Sequence, residues 1–296
     1  MRSGFCSIVG RPNVGKSTLL NAVVGQKVAI TTPVPGTTRH AIRGILHAQR
    51  DGEPAQVVFV DTPGLHKPRT MLGNRMNDTA REALSGVDCV VFMVDASQAI
   101  GRGDEFVASL LADVKAPKLA VLNKVDLVAK PKLLPQLTRV AELGDWDEIV
   151  PISAAGRDGV ELLAGLIVAR MPEGPPYFPE GQVSDQPVEL ALAEIIREKA
   201  ITIMREEVPH SIAVLVEEIL PGEREDVRVV HANLYVERDS QKGIVIGKGG
   251  EVLKSIGARA RAELELLLGA RVYLELRVKL MKEWQRDAKA LARLGY

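Results

Sequence analysis

Gly10-Arg11-Pro12-Asn13-Val14-Gly15-Lys16-Ser17 fits the pattern G-x-x-x-x-G-K-[ST], between an apolar run and a helical stretch that opens with Lys16, Ser17 and Thr18. Its glycines let backbone N–H groups approach phosphate oxygens, and the helix N-terminus adds the positive end of its dipole. Lys16 is placed to reach β and γ phosphates, and the Ser17 hydroxyl to ligate Mg2+. Asp61-Thr62-Pro63-Gly64 follows QVVFV. There a carboxylate can hold a magnesium water, and the Gly64 N–H can sense a γ-phosphate. Thr38, with Thr37 as the alternative, is the expected further metal ligand, in PVPGTTRH, a Gly/Pro-rich loop suited to order–disorder switching. Asn123-Lys124-Val125-Asp126 follows KLAVL and supplies a carboxylate that can accept from both N1–H and the exocyclic amine of guanine. Adenine offers no such donor pair. Ser153-Ala154 can add a backbone N–H to the guanine oxygen. The set predicts a site for GTP and GDP with Mg2+, with Lys16, Thr38, Asp61 and Gly64 as the catalytic groups.

Leu65 follows DTPG, where small signalling GTPases place a glutamine that orients attacking water. A leucine cannot orient water, so hydrolysis is expected to be slow or assisted from elsewhere. Asn13 has two readings: its amide oxygen holds a monovalent cation, K+, beside the phosphates, or it merely shapes the loop. His66 is a conceivable base, although a loop histidine more often only meets solvent, and Lys67 and Arg69 read as solvated charges.

A second glycine–lysine loop lies in GIVIGKGGEVLKS. It cannot do the same chemistry, because Glu251 stands where a magnesium-binding hydroxyl would be needed. What remains is G-x-x-G, Gly247-Lys248-Gly249-Gly250, with two strands before it and a helix and strand after it. That order fits a KH-type module, whose loop clamps a single-stranded nucleic-acid backbone. Gly243, Ile244 and Ile246 are expected to form an apolar wall for bases, with Lys242, Lys248, Lys254 and Arg259 as the cationic contacts.

The elements that must position these groups follow from pattern. The 296 residues favour about two domains, and 46% hydrophobic residues are enough for two cores. Residues 1–171 alternate strand-like runs with helical stretches starting near Lys16, Leu72, Asp104, Lys132 and Gly159. This predicts an α/β domain with a mainly parallel sheet and helices on both faces. Residues 172–187 form a proline-rich linker or extended arm. A smaller α+β KH-like domain over 188–279 and a helical tail over 280–296, one amphipathic helix from MKEWQRD onward, complete the expected organisation. The net charge of zero divides into +3 over 1–171, −9 over 172–241 and +6 over 242–296, so the basic excess begins at the second loop. A basic surface there suggests a polyanion. Cys6 and Cys89 sit in apolar runs and read as buried hydrophobes, and no apolar run reaches the 18 residues of a membrane span.

GRPNVGKST, PGTTRH, DTPGLH, NKVD and VIGKGGEVLKSIG, in this order, resemble the bacterial Era family of GTPases across nearly the whole chain. The resemblance implies a cytoplasmic GTPase that binds near the 3′ end of 16S-type ribosomal RNA and assists 30S subunit maturation, with no DNA partner. It also implies loose, peripheral association with the inner membrane. The leucine after DTPG belongs to the family pattern. Two rivals stand beside it. A P-loop ATP enzyme is disfavoured by NKVD, and a GTPase whose C-terminal module binds a protein is opposed by the basic run, while one whose module binds another RNA stays open.

Overall fold

The computed structural model describes Met1–Tyr296 as two compact units. The first comprises Met1–Thr31, Thr38–Arg69 and Gly73–Asp185, and the second Thr32–Thr37, Thr70–Leu72 and Gln186–Tyr296.

In chain order the first set of elements is β1 (Arg2–Gly10), α1 (Lys16–Val24), β2 (Ile42–Arg50), β3 (Glu53–Asp61), α2 (Met71–Glu82), β4 (Cys89–Asp95), α3 (Arg102–Leu110), β5 (Lys118–Asn123), α4 (Lys130–Ala141), β6 (Glu148–Pro151) and α5 (Val160–Arg170). The strands form one sheet in the order β2-β3-β1-β4-β5-β6, parallel except for the β2–β3 hairpin. A sheet covered on both faces needs strands that are apolar throughout, and all seven residues of β4, CVVFMVD, are buried. Alternate residues feed two cores. Ile8, Phe59, Met93 and Val121 pack with Leu19 and Leu20 of α1 and Leu163 of α5. Val9, Phe92, Val94 and Leu122 pack on the other face with Val107 of α3 and Val140 of α4. Cys6 and Cys89 are partners in register and fully buried.

Part of the expected linker is a strap on this unit. Gln56, buried in β3, accepts from the N–H groups of Tyr177 and Phe178 and donates to the Phe178 carbonyl at 2.8 Å. Further along, the Ile45 N–H donates to the Val183 carbonyl (2.9 Å), and Arg43 pairs with Asp185 at 2.6 Å. Thus β2, the sheet's edge strand, spends part of its open backbone on the strap rather than offering it to another chain.

The second unit continues with α6 (Val188–Ile203), a single helical turn α7 (Val208–Ser211), β7 (Ala213–Pro221), β8 (Val227–Val236), α8 (Asp239–Ile246), α9 (Glu251–Leu268), β9 (Arg271–Leu280) and α10 (Ala288–Arg293). Its sheet runs β7-β8-β9, with β7–β8 antiparallel, bulged between Val216 and Glu218, and β8–β9 parallel. Val230, Ala232, Leu234 and Val236 alternate inward from β8 to meet Leu192 and Ile196 of α6 and Ile256, Ala260 and Leu264 of α9. The expected single tail helix is broken. Trp284 is fully buried in a one-turn 3-10 segment, its indole N–H donating to the Ser211 carbonyl at 2.9 Å and its ring stacked on Tyr296. Asp287 then caps α10 by accepting from the N–H groups of Lys289 and Ala290, and those bonds hold its carboxyl below the usual range. Burying an indole with its N–H satisfied wins over continuing an exposed helix.

Candidate nucleotide site and G-x-x-G loop

β1 ends at Gly10 and α1 begins at Lys16, and the loop between them is built by backbone that few side chains permit. Gly15 has φ 101°, and a Cβ there would meet Asn123 Nδ2 at 2.3 Å. A Cβ on Gly10 would lie 2.6 Å from the Met93 carbonyl oxygen. Asn13 takes φ 64°, which asparagine tolerates better than most residues. Lys16 Nζ folds back over the loop to donate to the carbonyls of Gly10 (3.2 Å) and Arg11 (2.9 Å). The Arg11 guanidinium is held in turn by the fully buried carboxylate of Asp104, Nε to Oδ1 2.7 Å.

Ser17, Thr38 and Asp61 come together beside Lys16. Ser17 Oγ donates to Asp61 Oδ2 at 2.6 Å and lies 2.9 Å from Thr38 Oγ1, which is 3.5 Å from the same carboxylate oxygen. The Thr37 hydroxyl is bonded to Thr32 and to the Val34 carbonyl (2.7 Å). Asp61 is wholly buried, and its Oδ1 has no hydrogen-bond partner. Burial pushes the Asp61 carboxyl up to about 6, against the pull of Lys16, Ser17 and Thr38. Burial also brings the Lys16 ammonium down to about 8, with Asp61 opposing. Hard oxygen donors around an unsatisfied carboxylate suit Mg2+.

The DTPG segment lies against the loop. Thr62 Oγ1 donates to the Ile8 carbonyl at 2.8 Å, and Pro63 is buried. A Cβ on Gly64 would stand 2.6 Å from Pro12 N, so only glycine allows this approach. The Leu65 N–H donates to the Gly10 carbonyl (3.3 Å) while its side chain, 1% exposed, joins the core under α3. Leu65 is therefore a packing residue. His66 is exposed, with Nδ1 3.2 Å from the Gly64 carbonyl oxygen.

NKVD is tied to the Gly10–Ser17 loop. Asn123 Nδ2 donates to the Val14 carbonyl (2.8 Å), and Asn123 Oδ1 accepts from the Ala154 N–H (2.9 Å). Lys124, at φ 65°, spans the Asn13 carbonyl (2.8 Å) and Asp95 Oδ2 (2.6 Å). Burial of Asp95 works against its ionisation, but the Lys124 and Ser97 hydrogen bonds outweigh it and hold the carboxyl low. Asp126 stands exposed on the 3-10 turn Val125–Leu127. The Ser153 N–H donates to the Asp158 carbonyl at 2.9 Å, so both expected guanine-oxygen donors are engaged within the chain. Of the two supporting acids, sequence reading places Asp95 at a strand end where ligands of open α/β sheets bind, without its Lys124 partner, and misses Asp104. The first was visible as an acid closing the apolar run CVVFMV. The second gave no signal beyond ordinary helix-start chemistry in GRGDE.

In the second unit, α8 ends at Ile246 and a 3-10 turn, Lys248–Gly250, leads into α9. Gly247, Gly249 and Gly250 have φ of 74°, 61° and 81°. A Cβ on Gly247 would collide with Val252 Cγ2 at 2.4 Å, whereas Gly249 and Gly250 face open space. The first glycine thus closes the turn on α9, and the other two present bare backbone. Ile244 is 53% exposed, Ile246 and Lys242 are half-buried, and Gly243, Lys248, Lys254 and Arg259 are exposed around the loop.

A six-stranded sheet with a phosphate loop after β1 and NKVD after β5, followed by a βαβ-type G-x-x-G unit, defines a P-loop GTPase carrying a KH domain. The family model described as 50S ribosome-binding GTPase matches residues 5–124, and that of the KH domain matches residues 207–285. The chain is 51% identical to GTPase Era of Streptomyces coelicolor over 100% of this chain and 95% of the relative. It is also 51% identical to GTPase Era of Mycobacterium tuberculosis H37Rv over 99% of this chain and 98% of that one. A solved structure of Era in complex with MgGDPNP and nucleotides 1506–1542 of 16S ribosomal RNA superposes with TM-score 0.96 at 41% identity, covering 100% of this chain and 99% of that one. One of Aquifex aeolicus Era bound to GDP·AlF4⁻ superposes with TM-score 0.95 at the same identity and coverage. The chain belongs to the GTPase Era family.

Proposed function

We propose that this protein binds GTP with Mg2+ at the Gly10–Thr18 loop, hydrolyses it slowly, and holds the 3′ end of 16S-type ribosomal RNA at Gly247–Gly250 during 30S subunit maturation. The observation that carries the nucleotide half is the meeting of Ser17, Thr38 and Asp61 beside Lys16, with one Asp61 oxygen left over. Ser17 and Thr38 would ligate the metal directly and Asp61 through water, and the ion would neutralise charge developing on the phosphates. Lys16 exchanges the carbonyls of Gly10 and Arg11 for phosphate oxygens. Gly64, close against Pro12, offers its N–H toward the γ-phosphate. Asp126 reads the guanine N1–H and amine, and Asn123 and Lys124 hold the loop for it. With Leu65 buried, no side chain from that position orients the water, so the isolated protein turns over slowly.

The RNA half rests on two open glycines flanked by exposed cations. Backbone at Gly249 and Gly250 meets phosphates without a side chain between, while Ile244 provides an apolar surface for a base. The relative solved with MgGDPNP and a 16S fragment supports the same pairing of ligands. The family resemblance implies a loose, peripheral membrane contact, and no helix is long and apolar enough to cross a membrane. The deciding experiment is cross-linking to total cellular RNA, with GDPNP or GDP present, followed by sequencing of the captured RNA. Enrichment of the small-subunit 3′ end supports the reading. Enrichment of unrelated RNA, or of protein alone, favours the alternative that the C-terminal module serves another partner.

A further inference from the structure

The buried face of α2 includes Met76, Asn77 and Ala80, which are 5%, 4% and 0% exposed. Asn77 is the polar member of an otherwise apolar stripe, and a buried amide is retained where both its groups find partners. Both find the same residue. Asn77 Nδ2 donates to the His66 carbonyl at 2.8 Å, and Asn77 Oδ1 accepts from the His66 N–H at 3.4 Å. One side chain thus takes both backbone groups of a single residue, as a neighbouring strand would.

His66 directly follows the segment that faces the phosphates. Upstream of it the chain is tied to β1 and the phosphate loop: Thr62 to the Ile8 carbonyl, Leu65 N–H to the Gly10 carbonyl, and Gly64 against Pro12. Leu65 is sunk in the core. Downstream lies an exposed run, His66 and Lys67, before α2. We infer that Asn77 is a positioning residue for hydrolysis: by holding the His66 backbone from α2, it fixes the far side of the Gly64–Leu65 peptides and so the aim of the Gly64 N–H. This rests on the GTPase reading of the site. Asn77 touches neither nucleotide nor metal and acts through the loop.

The test uses the full-length protein and single-turnover hydrolysis of GTP, with GDP affinity measured on the same preparation. Asn77→Ala removes both bonds. The isosteric Asn77→Asp keeps an acceptor for the His66 N–H but turns a carboxylate oxygen toward the His66 carbonyl. Both are expected to lower the single-turnover hydrolysis rate at saturating protein about tenfold, with the Kd for GDP within about twofold of wild type, because GDP does not engage the Gly64 side of the site. A purely structural amide would lower the melting temperature and leave the rate per GDP-binding molecule unchanged, and that result in either variant overturns the inference. So does a rate that falls only in proportion to GDP affinity. Wild-type protein that binds GDP without hydrolysing GTP would overturn the GTPase reading itself, and the inference with it.

Discussion

Lys16 and Asp61 are both buried, and the protein holds them at a cost when no ligand is present. The Asp61 carboxyl lies at about 6, so the folded state retains a proton that the unfolded state, at the ordinary 3.8, has released. Ionisation of Asp61 therefore weakens the ligand-free fold as pH rises from about 4 through 6, and that penalty is fully present at pH 7. Replacing it with a neutral amide removes this dependence. The melting-temperature difference between Asp61→Asn and wild type, both without nucleotide, is expected to move in favour of the variant as pH rises from 5 to 7. A constant difference across that range would show that Asp61 is not the titrating group. Base reading is tested at Asp126. Asp126→Asn is expected to weaken GTP binding by about 1.5–3 kcal/mol, the loss of a charge-assisted hydrogen bond, and to improve binding of xanthosine triphosphate. Unchanged GTP affinity would remove Asp126 from the site. At Asn13 the two readings divide on salt. If its amide holds K+, turnover, of order 10⁻² to 10⁻⁴ s⁻¹ by analogy with unassisted GTPases, should be faster in potassium than in sodium, and Asn13→Ala should erase the difference.

At the scale of elements, the loops were legible because each depends on local rules. Gly10–Ser17 announces itself by glycines, a lysine and a helix start, and the strands by apolar runs that end in a glycine for β1 and in a polar residue for β3, β4 and β5. The strap over 172–185 was not legible. Its bonds join Gln56 to Tyr177 and Phe178 across more than 120 residues, and nothing about a buried glutamine in QVVFVD names its partners. The tail helix was misread for a related reason. A helical periodicity over 281–294 says nothing of a pocket waiting for Trp284 beside Ser211. Likewise the engagement of the Ser153 and Ala154 amides by Asp158 and Asn123 is visible only in three dimensions. Gln56→Ala should leave two half-buried N–H groups and one carbonyl of the strap without partners, destabilising the first unit by about 2–3 kcal/mol. Chemical denaturation followed by the GTP-binding signal checks this. In the G-x-x-G turn, Gly247→Ala forces a clash with Val252 and is expected to lower stability. Gly249→Asp meets no neighbour but takes the backbone strain of a side chain at φ 61°, about 1–2 kcal/mol, and is expected to weaken RNA binding per folded molecule beyond that modest loss of stability.

Across the whole molecule, charge separates the two ligands more sharply than the net value suggests. The +6 carried by residues 242–296 lies in the stretch that holds the G-x-x-G turn, while 172–241 is acidic at −9. RNA binding should weaken as salt rises. Three to five phosphate contacts on a single strand give a log–log slope of about −2 to −3.5, and Lys248→Ala should make it shallower by about 0.7. At the proposed nucleotide site, where the buried Lys16 and backbone N–H donors would carry most phosphate contacts, GTP affinity should respond much less. Equal salt slopes for the two ligands would mean that the basic stretch does not form the RNA surface.

The burial of Trp284 has an optical consequence. The chain has two tryptophans, and they are divided between the units: Trp146 stacks on Phe92 in the first, at 5.0 Å, and Trp284 lies enclosed beside Ser211 and Tyr296 in the second. A Trp146→Phe protein would therefore emit only from the KH unit, and a Trp284→Phe protein only from the GTPase unit. Intrinsic fluorescence of these two variants would follow the melting of each unit separately within one intact chain. A GTP analogue that protects the Trp146 signal without shifting the Trp284 signal would show that the units unfold independently.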